Sequence, residues 1–148
     1  MKKELYGELR VIGMKGCEEF VSQVDSYLKE WRGSAPEDTF VVDHECPRFG
    51  TGEAKCVIHE TLRGDDVYII TDCFNYSVTY KMYGMDVPMS PDDHYCDLKR
   101  TIAAIAGKAR RITVIMLMLY EGRQHKRSAR ESLDCSLMLQ ELIGMGVT

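Results

Sequence analysis

The sequence lacks a hydrophobic run long enough to cross a membrane. Among its 148 residues, the longest uncharged apolar stretch is Ile112–Tyr120, with 9 residues, whereas a transmembrane helix needs about 20. The start, Met1-Lys2-Lys3-Glu4, is not followed by the apolar centre of a signal peptide. We therefore expect a cytoplasmic protein that has no membrane partner.

An excess of positive charge is also missing. The chain carries 19 Lys and Arg against 23 Asp and Glu, which gives a formal net charge of −4. This balance argues against a protein that coats nucleic acid, because such binding depends on many cations facing phosphates. The charged fraction of 28% and the apolar fraction of 45% are ordinary for a globular protein, and the length suits a single domain over residues 1–148.

Cysteines are present, but they lack the spacing of a metal site. The six cysteines form no Cys-x-x-Cys pair, and in a reducing compartment they are interpreted as small apolar residues. We expect the four best potential ligands to lie on strands or strand ends and to point to different faces. Their spacings match no structural zinc pattern: His44, Cys46, Cys56 and His59. We therefore predict no metal site in this chain.

Strand-like and helical segments alternate along the chain. Residues that favour strands are concentrated in five segments: Leu9–Met14, Thr39–Val42, Ala54–His59, Val67–Thr71 and Arg111–Leu119. Apolar spacing, caps and stop signals predict three helices: Cys17–Trp31, Pro91–Gly107 and Ser132–Ile143. The continuously apolar last strand is expected to be central and covered on both faces. The segment Cys73–Met89 receives no assignment.

This alternation predicts an α/β fold: a three-layer, open, mainly parallel sheet with helices on both faces. In such sheets, ligands bind beyond the carboxyl ends of the strands. We therefore expect the residues that bind ligands to lie in the segments that follow strands.

A basic segment follows the last predicted strand. Four cations fall within eight residues of an acidic chain: Arg123, Lys126, Arg127 and Arg130. Guanidinium groups and the free N–H groups of a helix N-terminus both bind phosphate oxygens, and Ser128 with Glu131 has the spacing of a capping box. Two other interpretations stay open: a solvated basic loop, and an RNA-binding loop, for which interleaved aromatic residues are missing.

A glycine-containing segment, Arg48-Phe49-Gly50-Thr51-Gly52-Glu53, follows the strand at Thr39–Val42. In this turn, Phe49 has the ring needed to stack on a base, and Glu53 has a carboxylate able to accept the base's amino group. The alternative is a hairpin tip with only a structural role. The phosphate-binding pattern Gly-x-x-x-x-Gly-Lys-Ser/Thr is absent.

In their order and spacing, these segments resemble the amino-terminal half of ribose-phosphate diphosphokinase, also called phosphoribosyl pyrophosphate synthetase, as a divergent member. The resemblance covers residues 48–147 well and residues 9–32 loosely. It depends on five features taken together: Arg48-Phe49-x-x-Gly52-Glu53, the run Glu60–Ile69 around Arg63-Gly64-Asp65-Asp66, the helix ending near Ala106, Arg111–Ile115, and Tyr120-x-x-Arg123-Gln124 followed by Arg130-Glu131.

The resemblance implies a type I phosphoribosyltransferase-like fold. It also implies that the full-length protein is a transferase of nucleotide biosynthesis, which moves diphosphate from Mg-ATP to ribose 5-phosphate and gives phosphoribosyl pyrophosphate and AMP. The implied ATP contacts come from both segments of a homo-oligomer, with the adenine site reached from a neighbouring subunit: Phe49, Thr51, Glu53, Arg123 and Gln124. Four further cations are candidates for contacts with phosphate or with ADP as a regulatory nucleotide: Arg63, Lys126, Arg127 and Arg130.

The chain departs from the family pattern at two of these positions. Thr51 stands where the family usually has Asp or Asn, and His125 stands where it usually has Asp. In the family, the catalytic residues and the ligands for Mg²⁺ lie further along, in the carboxyl-terminal half. We therefore expect no catalytic residue in this chain and no activity from it alone. The alternative is a non-catalytic regulatory relative that binds nucleotide or partner subunits.

Overall fold

The computed structural model describes residues 7–148. Within them, strands and helices alternate in this order: β1 (Leu9–Gly13), α1 (Glu18–Arg32), β2 (His44–Glu45), β3 (Val57–Ile58), β4 (Asp66–Thr71), β5 (Thr79–Met82), β6 (Met85–Pro88), α2 (Pro91–Ile105), β7 (Arg111–Met116) and α3 (Asp134–Gly144).

The main sheet has the strand order β1-β4-β7, and both pairings are parallel. The middle strand is β4, whose consecutive residues Ile69 and Ile70 point to opposite faces and are 0% and 3% exposed, as expected for a strand covered on both faces. Beside β1, the predicted strand Thr39–Val42 forms only an isolated parallel bridge, from Val41 to Val11. Two antiparallel pairs, β2-β3 and β5-β6, complete the strand content of the described residues.

Helices cover both faces of this sheet, which confirms the three-layer prediction. On one face, Val21 of α1 packs with Val11 and Ile70. On the other, residues of α2 and α3 such as Leu98 and Met138 pack with the opposite side chains of β1, β4 and β7. At Gly13, a Cβ atom would lie 2.8 Å from Cγ2 of Val21, so the glycine allows α1 to approach the end of β1 closely.

The helix boundaries follow from local sequence signals. Ser90 and Asp93 form a capping box at the start of α2, in which the Ser90 hydroxyl accepts a bond from the Asp93 N–H group and the Asp93 carboxylate accepts one from the Ser90 N–H group. The helix ends at Ile105 rather than at Gly107, because Ala106 already has a φ of +55°.

The prediction for the last strand was wrong in two respects. β7 ends at Met116, and among the described residues it lies at an edge of the sheet. Leu117, Met118 and Leu119 follow it as exposed residues rather than as part of the strand. A continuous apolar run indicates strand formation, but it does not reveal how many neighbouring strands are present.

The remaining strand predictions were partly correct. The strand predicted at Ala54–His59 is shorter in the structure, where β3 comprises Val57–Ile58. The segment Cys73–Met89, for which no prediction was made, contains the hairpin β5-β6. None of the helices in the described part of the chain is long and apolar enough to span a membrane.

The packing of α2 on the sheet predicts a large stability difference between two leucine substitutions. Leu98→Ala removes a side chain that is 0% exposed, and we expect the free energy of unfolding to fall by about 2–5 kcal/mol in urea denaturation. The matched change Leu137→Ala, at a position that is 54% exposed on α3, should cost less than about 1 kcal/mol. Equal losses would contradict this arrangement of α2 and α3.

Candidate functional site

A cavity of about 770 Å³ lies beyond the carboxyl ends of β4 and β7. Its walls come from the loops after these two strands and from the first turn of α2, and they include Phe74, Tyr76, Asp92, Tyr120 and Arg123. The position is the one at which open α/β sheets bind ligands. Of the residues predicted to bind ATP, only Arg123 is among those that line this cavity.

A buried tyrosine pair fixes the floor of the cavity to α2. The rings of Tyr95 and Tyr120 stack with their centroids 4.5 Å apart. The Tyr120 hydroxyl donates to Asp92 at 2.6 Å, and the Tyr95 hydroxyl donates to Glu141 of α3 at 2.7 Å. Burial, reinforced by the hydrogen bond to Asp92, raises the pKa of Tyr120, so this hydroxyl stays a proton donor at neutral pH.

The tyrosine pair also lowers the pKa of a carboxyl group on α3. The Tyr95 hydroxyl is the main cause of the lowered pKa of Glu141, and Lys99, 2.9 Å away, adds to it. The hydrogen bonds of this tyrosine pair therefore join the loop after β7, which lines the cavity, to α2 and α3.

The basic loop, residues 123–130, has exposed side chains throughout. Within residues 7–148, its four cations form no side-chain hydrogen bond or ion pair with other residues: Arg123, Lys126, Arg127 and Arg130. Glu121, just before the loop, has a φ of +55°, a conformation that is uncommon for residues other than glycine. The cations are therefore available to an external anion, and the interpretation as a solvated loop also fits this exposure.

The predicted capping box at the start of α3 was wrong. Ser128 and Glu131 do interact, since the Ser128 N–H group donates to the Glu131 carboxylate at 2.7 Å, and this bond lowers the pKa of Glu131. However, α3 begins only at Asp134, with Leu133 as its N-cap and no side-chain cap. The Ser128–Glu131 pair therefore orders the basic loop rather than the helix terminus.

The second candidate segment forms a tight turn at residues 49–53, which we call the adenine turn after the role that the sequence predicts for it. The Phe49 N–H group donates to the Glu53 carbonyl at 2.7 Å, and the Thr51 hydroxyl donates to the Glu53 carboxylate at 3.0 Å. The Phe49 side chain is 51% exposed. The turn therefore presents an aromatic ring and a carboxylate to solvent.

Arg48 anchors this turn to α2. Its guanidinium donates to the Gly52 carbonyl at 2.7 Å and to Asp97 at 2.6 Å, and it lies 4.4 Å from the centroid of the Tyr80 ring. The Arg48 and Asp97 side chains are 8% and 4% exposed. Such a buried pair is costly to break, because removing one partner leaves the other charge desolvated.

The predicted residues fall into three separate places within one protomer. The adenine turn and the basic loop lie on different sides of the first turns of α2, and no hydrogen bond or ion pair joins them within residues 7–148. The Gln124 carbonyl instead accepts the Cys135 N–H group at the start of α3. Arg63 lies in the turn before β4, at the opposite end of that strand from the cavity.

Three structural contributors were not identified from the sequence: Tyr80, Asp97 and Tyr95. Tyr80 lies in the unassigned segment, and the two α2 residues had no role in any motif. A helical projection of α2 would have placed Asp93 and Asp97 on one face. This shared face was the sequence signal that could have pointed to Asp97.

The architecture defines the class of the protein. A parallel sheet with helices on both faces and a cavity at its carboxyl edge is an open α/β domain of the phosphoribosyltransferase-like kind. The fold matches a crystal structure of phosphoribosylpyrophosphate synthetase from Mycobacterium smegmatis with a TM-score of 0.70 and 21% identity. The match covers 95% of this chain and 40% of that chain, so this chain spans less than half of that structure's length.

The family follows from the sequence itself. The family model described as the N-terminal domain of ribose phosphate pyrophosphokinase matches residues 9–146. The chain belongs to this family, which confirms the resemblance found in its motifs. A comparison with curated protein sequences gave no match.

The anchoring of the adenine turn can be tested by comparing two ion pairs. Arg48→Met should lower the free energy of unfolding by about 3–5 kcal/mol in urea denaturation, because within residues 7–148 it leaves the buried Asp97 with Arg100 as its one remaining cationic partner. The matched change Lys81→Met breaks the pair with Asp86, in which both side chains are about two-thirds exposed, and should cost less than about 1 kcal/mol. A small loss for Arg48→Met would show that the turn is held by other contacts.

Proposed function

We propose that this chain is the nucleotide-binding half of ribose-phosphate diphosphokinase, the enzyme that transfers diphosphate from ATP to ribose 5-phosphate and produces phosphoribosyl pyrophosphate and AMP. The observation that carries the proposal is the juxtaposition of the cavity beyond β4 and β7 with the four exposed cations of the basic loop. Membership of the family supports the class of reaction.

In this proposal, the basic loop binds the polyphosphate of ATP. Arg123 contributes a guanidinium at the cavity, and charge-assisted hydrogen bonds to phosphate are among the strongest that a side chain forms. Lys126, Arg127 and Arg130 add positive potential, and the Gln124 amide faces the nucleoside. Phe49 stacks on adenine and Glu53 accepts its amino group, with the adenine turn supplied by a neighbouring subunit of a homo-oligomer.

The reaction also requires Mg²⁺ and groups that stabilise the transferred diphosphoryl group. Within residues 7–148, no group of three or more His, Cys, Asp or Glu side chains is arranged to hold a metal ion. We propose that the ligands for Mg²⁺ and the catalytic residues lie in the carboxyl-terminal half of the enzyme. Binding of ADP as an effector at Arg63 and Arg130 belongs to the same proposal.

One observation favours a second candidate, a non-catalytic regulatory relative. The Thr51 hydroxyl donates to Glu53 at 3.0 Å, so both side chains engage each other at the position proposed to recognise adenine. The two candidates differ in activity. When this chain is co-expressed with a carboxyl-terminal half, the enzyme would release AMP from ATP and ribose 5-phosphate, whereas the regulatory relative would bind nucleotide without turnover.

The role of Arg123 predicts a loss of affinity for phosphate. In calorimetry with Mg-ATP, Arg123→Ala should weaken binding by about tenfold, the value of one hydrogen bond to a charged group. The matched variant Arg32→Ala removes a cation on α1, where it lies over the Phe40 ring, and should bind as the wild type does. Equal affinities of wild type and Arg123→Ala would remove Arg123 from the site.

The proposed role of Phe49 predicts a loss of affinity for Mg-ATP that depends on the adenine base. Phe49→Ala should weaken Mg-ATP binding by about fivefold or more, since stacking on an aromatic ring contributes about 1–3 kcal/mol. Binding of tripolyphosphate, which has no base, should stay unchanged. Phe20→Ala is the matched control, because Phe20 is similarly exposed (46%) but lies on α1. A loss of tripolyphosphate binding in Phe49→Ala would contradict a stacking role.

A further inference from the structure

Two cysteines face each other at the base of the hairpin that carries the adenine turn. The antiparallel register of β2 and β3 pairs Glu45 with Val57, and the same register continues to the bridge between Arg48 and Ala54. Cys46 and Cys56 therefore occupy directly opposite positions. The expectation that these two side chains point to different faces was wrong.

The backbone hydrogen bonds identify the kind of pair. The His59 N–H group donates to the Asp43 carbonyl at 3.0 Å, and the Lys55 N–H group donates to the Pro47 carbonyl at 3.1 Å. Because hydrogen-bonded and non-hydrogen-bonded pairs alternate along an antiparallel ladder, Cys46 and Cys56 form a non-hydrogen-bonded pair, for which the Cα atoms are about 4.5 Å apart. This spacing lies within the range of roughly 4.4–6.8 Å that a disulfide spans.

The two thiol groups also point to the same side of the hairpin. The Thr101 hydroxyl on α2 lies 3.7 Å from Sγ of Cys46 and 3.4 Å from Sγ of Cys56, so both sulfur atoms point toward the same atom. Both cysteines are half-buried rather than sealed in the core. A small reagent can therefore reach them, and neither has a role in the proposed nucleotide site.

The two thiols are chemically unequal. The nearby Cys46 thiol, a potential donor to a Cys56 thiolate, lowers the pKa of Cys56 to about 7, and Cys56 in turn raises the pKa of Cys46. Cys56 thus has substantial thiolate character near neutral pH, and the thiolate is the form that attacks disulfides.

We propose that Cys46 and Cys56 are a redox-active pair that forms a reversible cross-strand disulfide by exchange with a small disulfide such as oxidised glutathione. The Cys56 thiolate attacks one sulfur of glutathione disulfide, forming a mixed disulfide and releasing one glutathione thiolate. Cys46 then loses its proton and attacks Sγ of Cys56, which forms the Cys46–Cys56 bond and releases the second glutathione. Two protein thiols are oxidised, and one glutathione disulfide is reduced to two thiols.

The disulfide would close a covalent ring over residues 46–56, which contains Arg48 and the whole adenine turn. Oxidation therefore restricts the motion of the two strands at the base of the hairpin and involves no side chain of the turn. This inference does not depend on the proposed function, because disulfide formation is measured without a nucleotide.

The test uses the unmodified chain in glutathione redox buffers. After equilibration, free thiols are blocked with iodoacetamide and the peptides are mapped by mass spectrometry. We expect at least about a tenfold loss of labelling at Cys46 and Cys56, with a linked peptide about 2 Da lighter than its two reduced halves, and recovery of labelling after dithiothreitol treatment. The half-exposed Cys96 is the internal control and should keep its label.

Three results would overturn the proposal: full labelling of both cysteines, pairing of either with another cysteine to a similar extent, or a stable glutathione adduct on Cys56 while Cys46 stays free. A second measurement examines the inequality of the thiols. The labelling rate of Cys56 should rise with a midpoint near pH 7, and Cys46→Ala should move this midpoint upward by about one pH unit or more. An unchanged midpoint would show that Cys46 does not activate Cys56.

Discussion

The first two turns of α2 position both candidate segments of this protein. The capping box at Ser90 fixes where the helix starts, and three carboxylates then project from it in two directions. Asp92 receives the Tyr120 hydroxyl at the cavity, whereas Asp93 and Asp97, one turn apart, face Arg48. Because a residue's position on a helix fixes its direction, a shift of the helix start by one residue would disturb both segments at once.

Charge is distributed unevenly around this helix. The acidic residues near its N-terminus are favoured by the helix dipole and are partnered within the chain, by Tyr120 and Arg48. The cations of the basic loop are exposed and unpartnered within residues 7–148. The acidic residues at the start of α2 are therefore already paired, whereas the cations of the basic loop are exposed, an arrangement that favours an anionic ligand at this loop even in a chain whose net charge is −4.

Local signals predicted the helices and the inner strands well, and they failed where distant neighbours or unusual turns decide the structure. The spacing of apolar residues predicted α1, and Pro91 followed by Asp92 and Asp93 predicted the start of α2. The edge position of β7 depends on which strands pair with it, and that information is not local. The β5-β6 hairpin was missed because its two-residue turn is Tyr83-Gly84, with both φ values positive, where Asn-Gly or Asp-Gly is the usual signal.

The motif Arg48-Phe49-x-x-Gly52-Glu53 combines a structural part with a part that faces solvent, and the sequence alone could not separate them. The Arg48 guanidinium donates hydrogen bonds to the Gly52 carbonyl and to Asp97. It therefore stabilises the turn from its buried side and has few N–H groups left to bind a phosphate. Phe49 and the Glu53 carboxylate then face outward. An arginine in a nucleotide-associated motif suggests a phosphate contact, but the burial of Arg48 indicates a structural role in holding the turn. Under the proposed function, the candidates for polyphosphate contacts in residues 7–148 are therefore the exposed cations after β7 rather than Arg48.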